Sequence, residues 1–269
     1  MRRFFVDARY GQVHLRESRP APGSALGAPL ICLHLSPKSG WIYQDILPLL
    51  AAGRAAFAPD YPGFGESAPP PSEPQVTIED YAAVMWEVVD TLGGGPVHLL
   101  GYHTGSLVAV EMAAQRPDGV ISVINISAPI FNADEIAEFN ATYRHIDLDE
   151  AGTRFMHMWK EILAWNAPGV SLEWSAASLA ENLRAGEAYE WGHRAAFNYA
   201  PVYRQRLAAL AQPTLIINPD DDLKTYTRRA AGLRPGLEVL EAPQWGHGFL
   251  SFDAGAAAAL INDFLGGNE

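Results

Sequence analysis

Val97-His-Leu-Leu-Gly-Tyr-His-Thr-Gly-Ser-Leu-Val-Ala-Val110 decides the fold. Val97–Leu100 reads as a strand, and Thr104–Gln115 as a helix. That helix is apolar almost all round (Leu107, Val108, Val110, Met112, Ala113), so it should be central and covered. Between them, Gly101-Tyr-His-Thr-Gly105 forms a sharp strand-to-helix turn, with a glycine on either side clearing space around His103. The helix start behind the turn presents unpaired N–H groups and a positive partial charge. The side chain at its centre stands above the sheet edge, where ligands bind in open α/β folds. Histidine is among the residues enriched at positive φ, so it can occupy such a backbone.

Outward from this turn, strand and helix patterns alternate, the signature of a mostly parallel sheet covered on both faces. Residues 3–8 and 12–17 read as an opening antiparallel pair turning at Tyr10-Gly11. Leu30–Leu35, wholly apolar but for His34, is a strand buried on both sides. A helix is expected over about 40–52, and a strand over 55–58. Thr77-Ile-Glu-Asp80 is a capping box, followed by Tyr81, Val84, Met85, Val88 and Leu92 at helical spacing. Val120–Ile126 is a further buried strand. From 132 to 207 the strands stop, and helical or irregular segments rich in aromatics take over. Alternation resumes with Thr214–Asn218, Leu223–Leu233, Leu237–Ala242 and a last helix at Ala254–Leu265. The expectation is one α/β core from 1–131 and 208–269, with a helical cap inserted over 132–207. Pro69–Pro74 is a Pro-dense loop.

The 269 residues suffice for a large core, and 48% hydrophobic with 19% charged residues describes a globular enzyme. Nineteen basic against thirty-one acidic side chains give a formal charge of −12, which argues against a nucleic-acid partner. The single cysteine, Cys32, lies in an apolar run, excludes an intrachain disulfide and reads as a buried, inert thiol. No apolar stretch reaches the roughly 20 residues needed to span a bilayer. The cytoplasm is the default expectation. The partner expected is a small-molecule substrate, with no nucleic acid and no membrane; a homodimer is left open.

Together these motifs resemble the α/β-hydrolase superfamily. The turn resembles its G-x-S-x-G nucleophile elbow, with His103 where serine is expected. His34-Leu-Ser-Pro37 resembles the His-Gly-x-Pro oxyanion loop, and Asp60-Tyr-Pro-Gly-Phe-Gly-Glu-Ser67 the D-x-P-G-x-G-x-S segment. Asn218-Pro-Asp-Asp-Asp-Leu223 follows a strand as the family's acid-bearing loop does, and Pro243-Gln-Trp-Gly-His-Gly248 looks like the loop of its catalytic histidine. The resemblance implies an α/β-hydrolase fold with a mostly parallel central sheet flanked by helices and an inserted helical cap. It also implies His247 as base and Asp221 as its orienting carboxylate, with Asp220 and Asp222 as competitors. The oxyanion donors it implies are the backbone N–H of Thr104 and one from Leu35 or Ser36, with Leu35 where the family has glycine. His34 is expected to shape its loop.

A histidine at the elbow removes the acyl-serine route. Three mechanisms stand in order: His103 or His247 as general base, His103 as nucleophile through an acyl-imidazole, and a divalent metal held by His103, His247 and an aspartate. A proton relay Asp221–His247–His103 is expected. The aromatic-rich cap suggests a small, largely apolar carbonyl compound, with Trp191, Tyr199 and Tyr203 as candidate substrate-binding residues. No organic cofactor is implied, because no G-x-G-x-x-G or phosphate loop is present, and no dedicated metal-ligand spacing is seen. Hydrolysis is the first reading. The alternatives are a lyase or isomerase using the histidines for proton transfer, and an inactive ligand-binding protein.

Overall fold

The computed structural model describes residues 1–23, 26–70, 76–186 and 188–268. Most of the Pro-dense loop, residues 71–74, lies outside them. β1 (Arg2–Ala8) and β2 (Gly11–Ser18) form the expected antiparallel hairpin. β3 (Leu30–Leu33), β4 (Ala56–Pro59), β5 (Val97–Tyr102), β6 (Val120–Ile126), β7 (Thr214–Pro219) and β8 (Val239–Ala242) complete an eight-stranded sheet. Its order is β1-β2-β4-β3-β5-β6-β7-β8, parallel from β4 onward.

Strand β3 explains why the sheet is buried on both faces. Ile31 and Leu33 join one apolar layer, and Leu30 and Cys32 the other. The first layer includes α2 (Ile78–Thr91) and α3 (Thr104–Gln115). The second includes α1 (Leu47–Leu50), α9 (Phe249–Phe252) and α10 (Ala254–Gly266). Cys32 is buried and unpaired, and burial pushes its thiol pKa up. The Thr77–Asp80 capping box forms as read, each side chain accepting from the other residue's backbone N–H.

Two helices are shorter than expected. The segment expected as one helix over 40–52 is a 3-10 turn at Gly40–Tyr43 followed by α1. Pro48 has no N–H to continue a helix, but fits the first turn of a new one. The 223–233 segment contains only α8 (Lys224–Thr227) and a 3-10 turn at Arg228–Ala230, ending before Gly232 at φ 77°.

Between β6 and β7 run α4 (Ala133–Thr142), α5 (Thr153–Trp165), α6 (Leu172–Arg184) and α7 (Ala188–Ala209). They are fastened to the loop after β3. The Lys38 ammonium donates to Ser178 O at 2.7 Å, Ser178 Oγ at 2.6 Å and Asn182 Oδ1 at 2.5 Å on α6. Next to it the Ser39 hydroxyl donates to Glu181. Behind the same loop, buried Asp60 accepts from the N–H groups of Gly40 (2.8 Å) and Glu66 (3.0 Å) and pairs with His14 at 2.9 Å. His14 thus belongs to a buried polar cluster. No helix among the described residues is long and apolar enough to cross a membrane.

Candidate active site

His103 caps α3 at φ 48° and ψ −111°, anchored by its N–H to Ile126 O at 2.9 Å. The flanking glycines are a steric requirement. A Cβ on Gly105 would stand 2.0 Å from Leu33 O, and one on Gly101 would stand 2.2 Å from Gly105 O. The turn closes only without those methyl groups, and it lifts the imidazole into a cavity of about 530 Å³ above the sheet edge.

The aspartate-rich loop after β7 meets this ring in a way the sequence did not resolve. Asp221 points inward: its Oδ2 lies 2.9 Å from His103 Nε2 and accepts from the Ser127 hydroxyl at 2.6 Å, while Oδ1 accepts from the Leu223 N–H at 2.9 Å. Asp222 lines the cavity, with Oδ1 2.8 Å from His247 Nε2 and 3.9 Å from His103 Nε2. Asp220 turns outward and pairs with Lys224 at 2.6 Å. The expected chain Asp221–His247–His103 is therefore corrected to two pairs, Asp221–His103 and Asp222–His247. Consecutive residues leaving a strand point in different directions, so Asp221 bonds to His103, Asp222 to His247, and Asp220 to neither ring. The rings themselves meet edge to face, 5.2 Å between centroids.

Electrostatics distinguishes the pairs. Burial opposes a charged His103, but the carboxylates of Asp221 and Asp222 outweigh it and raise its pKa above the ordinary imidazole value. Withdrawal from water would raise the pKa of Asp222, yet the imidazoles of His103 and His247 hold it below the usual carboxylate range. Tyr102 remains a phenol, because burial and the same two carboxylates oppose its ionisation. Its hydroxyl lies 3.3 Å from His247 Nδ1, and because the Asp222 carboxylate can only accept, His247 Nε2 is the nitrogen that donates to Asp222. Ser127, at φ 61° beyond β6, and Tyr102 were not singled out from the sequence. The position of each at a parallel strand's carboxyl end was the available signal.

Thr104, Leu35 and Ser36 all line the cavity beside His103. The Ser36 N–H donates to Thr104 Oγ1 at 3.3 Å. His34 is structural, with Nδ1 donating to Leu35 O at 2.9 Å and Nε2 accepting from the Tyr61 N–H at 3.0 Å. Burial pushes its pKa down to about 4.

The three aromatics expected to bind substrate do not line the cavity. Tyr203 is buried and its hydroxyl accepts from Asn125 Nδ2 at 3.0 Å, Tyr199 donates to Glu111 on α3, and Trp191 packs at the edge of the main core. These positions lie on the faces of α7 turned toward the sheet domain. Other aromatics, including Phe139, Tyr143, Trp165, Tyr189 and Phe197, supply the helical wall instead. His193 lines the same wall, and burial lowers its pKa to about 4, so it is neutral near pH 7. His103, Asp221, Asp222 and His247 each offer a ligand atom within 4.8 Å of the others, a donor set that could hold a metal ion.

A family model described as alpha/beta hydrolase fold matches residues 28–254. A haloalkane dehalogenase of Psychrobacter cryohalolentis is 34% identical over 91 residues, covering 34% of this chain and 30% of that one. The chain's matches span less than half the length of the curated relatives, 30% to 44%. Among solved structures, an epoxide hydrolase from Vigna radiata superposes with TM-score 0.74 at 19% identity, covering 98% of this chain and 97% of its own. A meta-cleavage product hydrolase from Pseudomonas fluorescens gives TM-score 0.78 at 15% identity, covering 99% and 98%. At such identities the superpositions establish the fold.

Proposed function

The chain belongs to the α/β-hydrolase fold family, and from that premise we propose that it hydrolyses a small, largely apolar ester-like compound with His103 as general base. The observation that carries this reading is the His103 ring at the strand-to-helix turn, bonded to buried Asp221 and facing a cavity walled by aromatics. With Nε2–H donating to Asp221, the basic lone pair lies on Nδ1, which has no hydrogen-bond partner among the described residues.

In the proposed reaction a water gives its proton to His103 Nδ1 while its oxygen adds to the substrate carbonyl carbon. The resulting imidazolium is supported by Asp221, itself held by Ser127 and Leu223. The oxygen that becomes negative is placed against the Thr104 N–H at the start of α3, where the helix field favours an anion. The leaving alkoxide then takes a proton from His103 or from the neighbouring His247, and the carbonyl re-forms as the carboxylic acid. No serine ester forms on this route. Helices α4 to α7 act as a cap over 132–207 that excludes bulk water. The dehalogenase and epoxide-hydrolase names among the relatives and neighbours support a hydrolytic class without fixing the bond cleaved.

The test is kcat/KM on short-chain p-nitrophenyl esters for wild type and His103→Ala. The expected loss is about 10²- to 10⁴-fold in protein that remains folded. Equal rates in the two proteins would refute the assignment. Serine-directed fluorophosphonates are expected to leave the Tyr102–Gly105 peptide unlabelled.

One observation favours a second reading. The Ser36 N–H is engaged by Thr104 Oγ1, which leaves fewer free donors for a tetrahedral oxyanion than a full hydrolytic site would offer. Proton transfer alone, as in a lyase or isomerase, would then be the chemistry. Solvent deuterium entering a carbonyl substrate without its hydrolysis would select that reading; hydrolysis without exchange would reject it.

A further inference from the structure

At the cavity floor and just beneath it, one nitrogen from each of His103 and His247 and one oxygen from each of Asp222 and the buried Asp221 come within 4.8 Å of one another. Three of the separations are 2.9, 3.9 and 2.8 Å. Zinc-class ions hold nitrogen and oxygen ligands at about 2.0–2.2 Å, which puts neighbouring ligands roughly 3–4 Å apart. The four side chains therefore need only small rotations to enclose one ion.

The donors are also braced from behind, as metal ligands generally are. The Tyr102 hydroxyl on His247 Nδ1 leaves Nε2 directed at Asp222. Ser127 Oγ and the Leu223 N–H hold Asp221. Asp222 adds a second carboxylate from the adjoining residue, so that two negative charges face two imidazoles on one side of a cavity with room for a further ligand. Two imidazoles with two carboxylates suit zinc, cobalt, manganese or iron better than magnesium or calcium, which favour all-oxygen sites.

We infer that His103, Asp221, Asp222 and His247 bind one divalent transition-metal ion of the zinc class, in place of the protons that bridge the two His–Asp pairs. Occupancy takes the imidazole lone pairs, so the bound ion and a His103 general base exclude one another. Divalent zinc then inhibits the proposed hydrolysis, and chelation restores it.

The decisive experiment titrates tag-free, chelator-stripped protein with Co²⁺ and follows its visible d–d absorption. One equivalent should bind per chain, be displaced by Zn²⁺, and be lost in Asp222→Asn and in His247→Gln. Asp220→Asn, which alters the neighbouring outward-facing carboxylate, should titrate like wild type. In parallel, Zn²⁺ should raise the melting temperature of wild type but not of Asp222→Asn, a readout independent of turnover. No Co²⁺ band, or an unchanged titration in both cluster variants with their fold intact, would overturn the inference. If the variants do not fold, a failure of Zn²⁺ to shift the wild-type melting temperature overturns it. Ion binding by a chain that cleaves no ester would sustain this inference and defeat the hydrolytic proposal; ester cleavage indifferent to Zn²⁺ would do the reverse.

Discussion

His103 is held in a positive-φ turn by its neighbours: Gly101 and Gly105 leave the space, Ile126 O holds its N–H, and Asp221 holds its ring. Ser127 is the next link, since its hydroxyl donates to the same Asp221 oxygen that faces His103. Ser127→Ala should lower stability by about 1–3 kcal/mol in chemical denaturation, by leaving a buried carboxylate short of a donor. Tyr203→Phe should also destabilise, by about 1–3 kcal/mol, because it orphans Asn125 Nδ2, yet leave KM unchanged since Tyr203 lies outside the cavity. A raised KM in Tyr203→Phe would return that residue to the substrate site. The histidines and the Asp220–Asp222 loop were legible in the sequence, because their backbone motifs are local. Their pairing was not, because three consecutive aspartates differ only in where the chain leaving β7 happens to aim each of them. Trp191, Tyr199 and Tyr203 were misassigned for a similar reason: helical spacing defines a face but not the neighbour it meets.

Among the elements, the strands and α2, α3 and α10 followed from periodicity, and the capping box at Thr77 formed as read. Thr77→Ala should cost about 0.5–2 kcal/mol, measured by denaturant midpoint. The single helix expected over 40–52 failed because Pro48 interrupts the hydrogen-bond ladder, a local signal that the apolar run around it obscured. No sequence pattern announced the clasp between the loop after β3 and α6, since Lys38 and Ser178 are 140 residues apart. Burial pushes the Lys38 pKa down to about 7 from the ordinary lysine value of 10.5. Between those values the unfolded chain binds the proton that the folded chain has released, so stability rises with pH across that window. The stability of wild type relative to Lys38→Met should accordingly increase from about pH 7 to pH 10. A pH-independent difference would show that the ammonium keeps its charge throughout.

On the scale of the molecule, the sheet contributes the turn after β5 and the loops after β6, β7 and β8, while the segment inserted between β6 and β7 contributes the opposite wall. The alternation of strands and helices made the sheet legible. The cavity was not, because its shape depends on which faces of four helices oppose a single sheet edge. Everything proposed for catalysis converges on His103 as a base whose basicity is set by Asp221. A base must be unprotonated to act, and the carboxylates raise its pKa, so activity should climb with pH along a limb displaced above the ordinary imidazole value of about 6.5. The most direct test is the pH dependence of kcat/KM in wild type and Asp221→Asn. Wild type should show an ascending limb above that value, moved to lower pH in Asp221→Asn; a limb at the same pH in both proteins, or a rate independent of pH, would rule out His103 as a base tuned by Asp221.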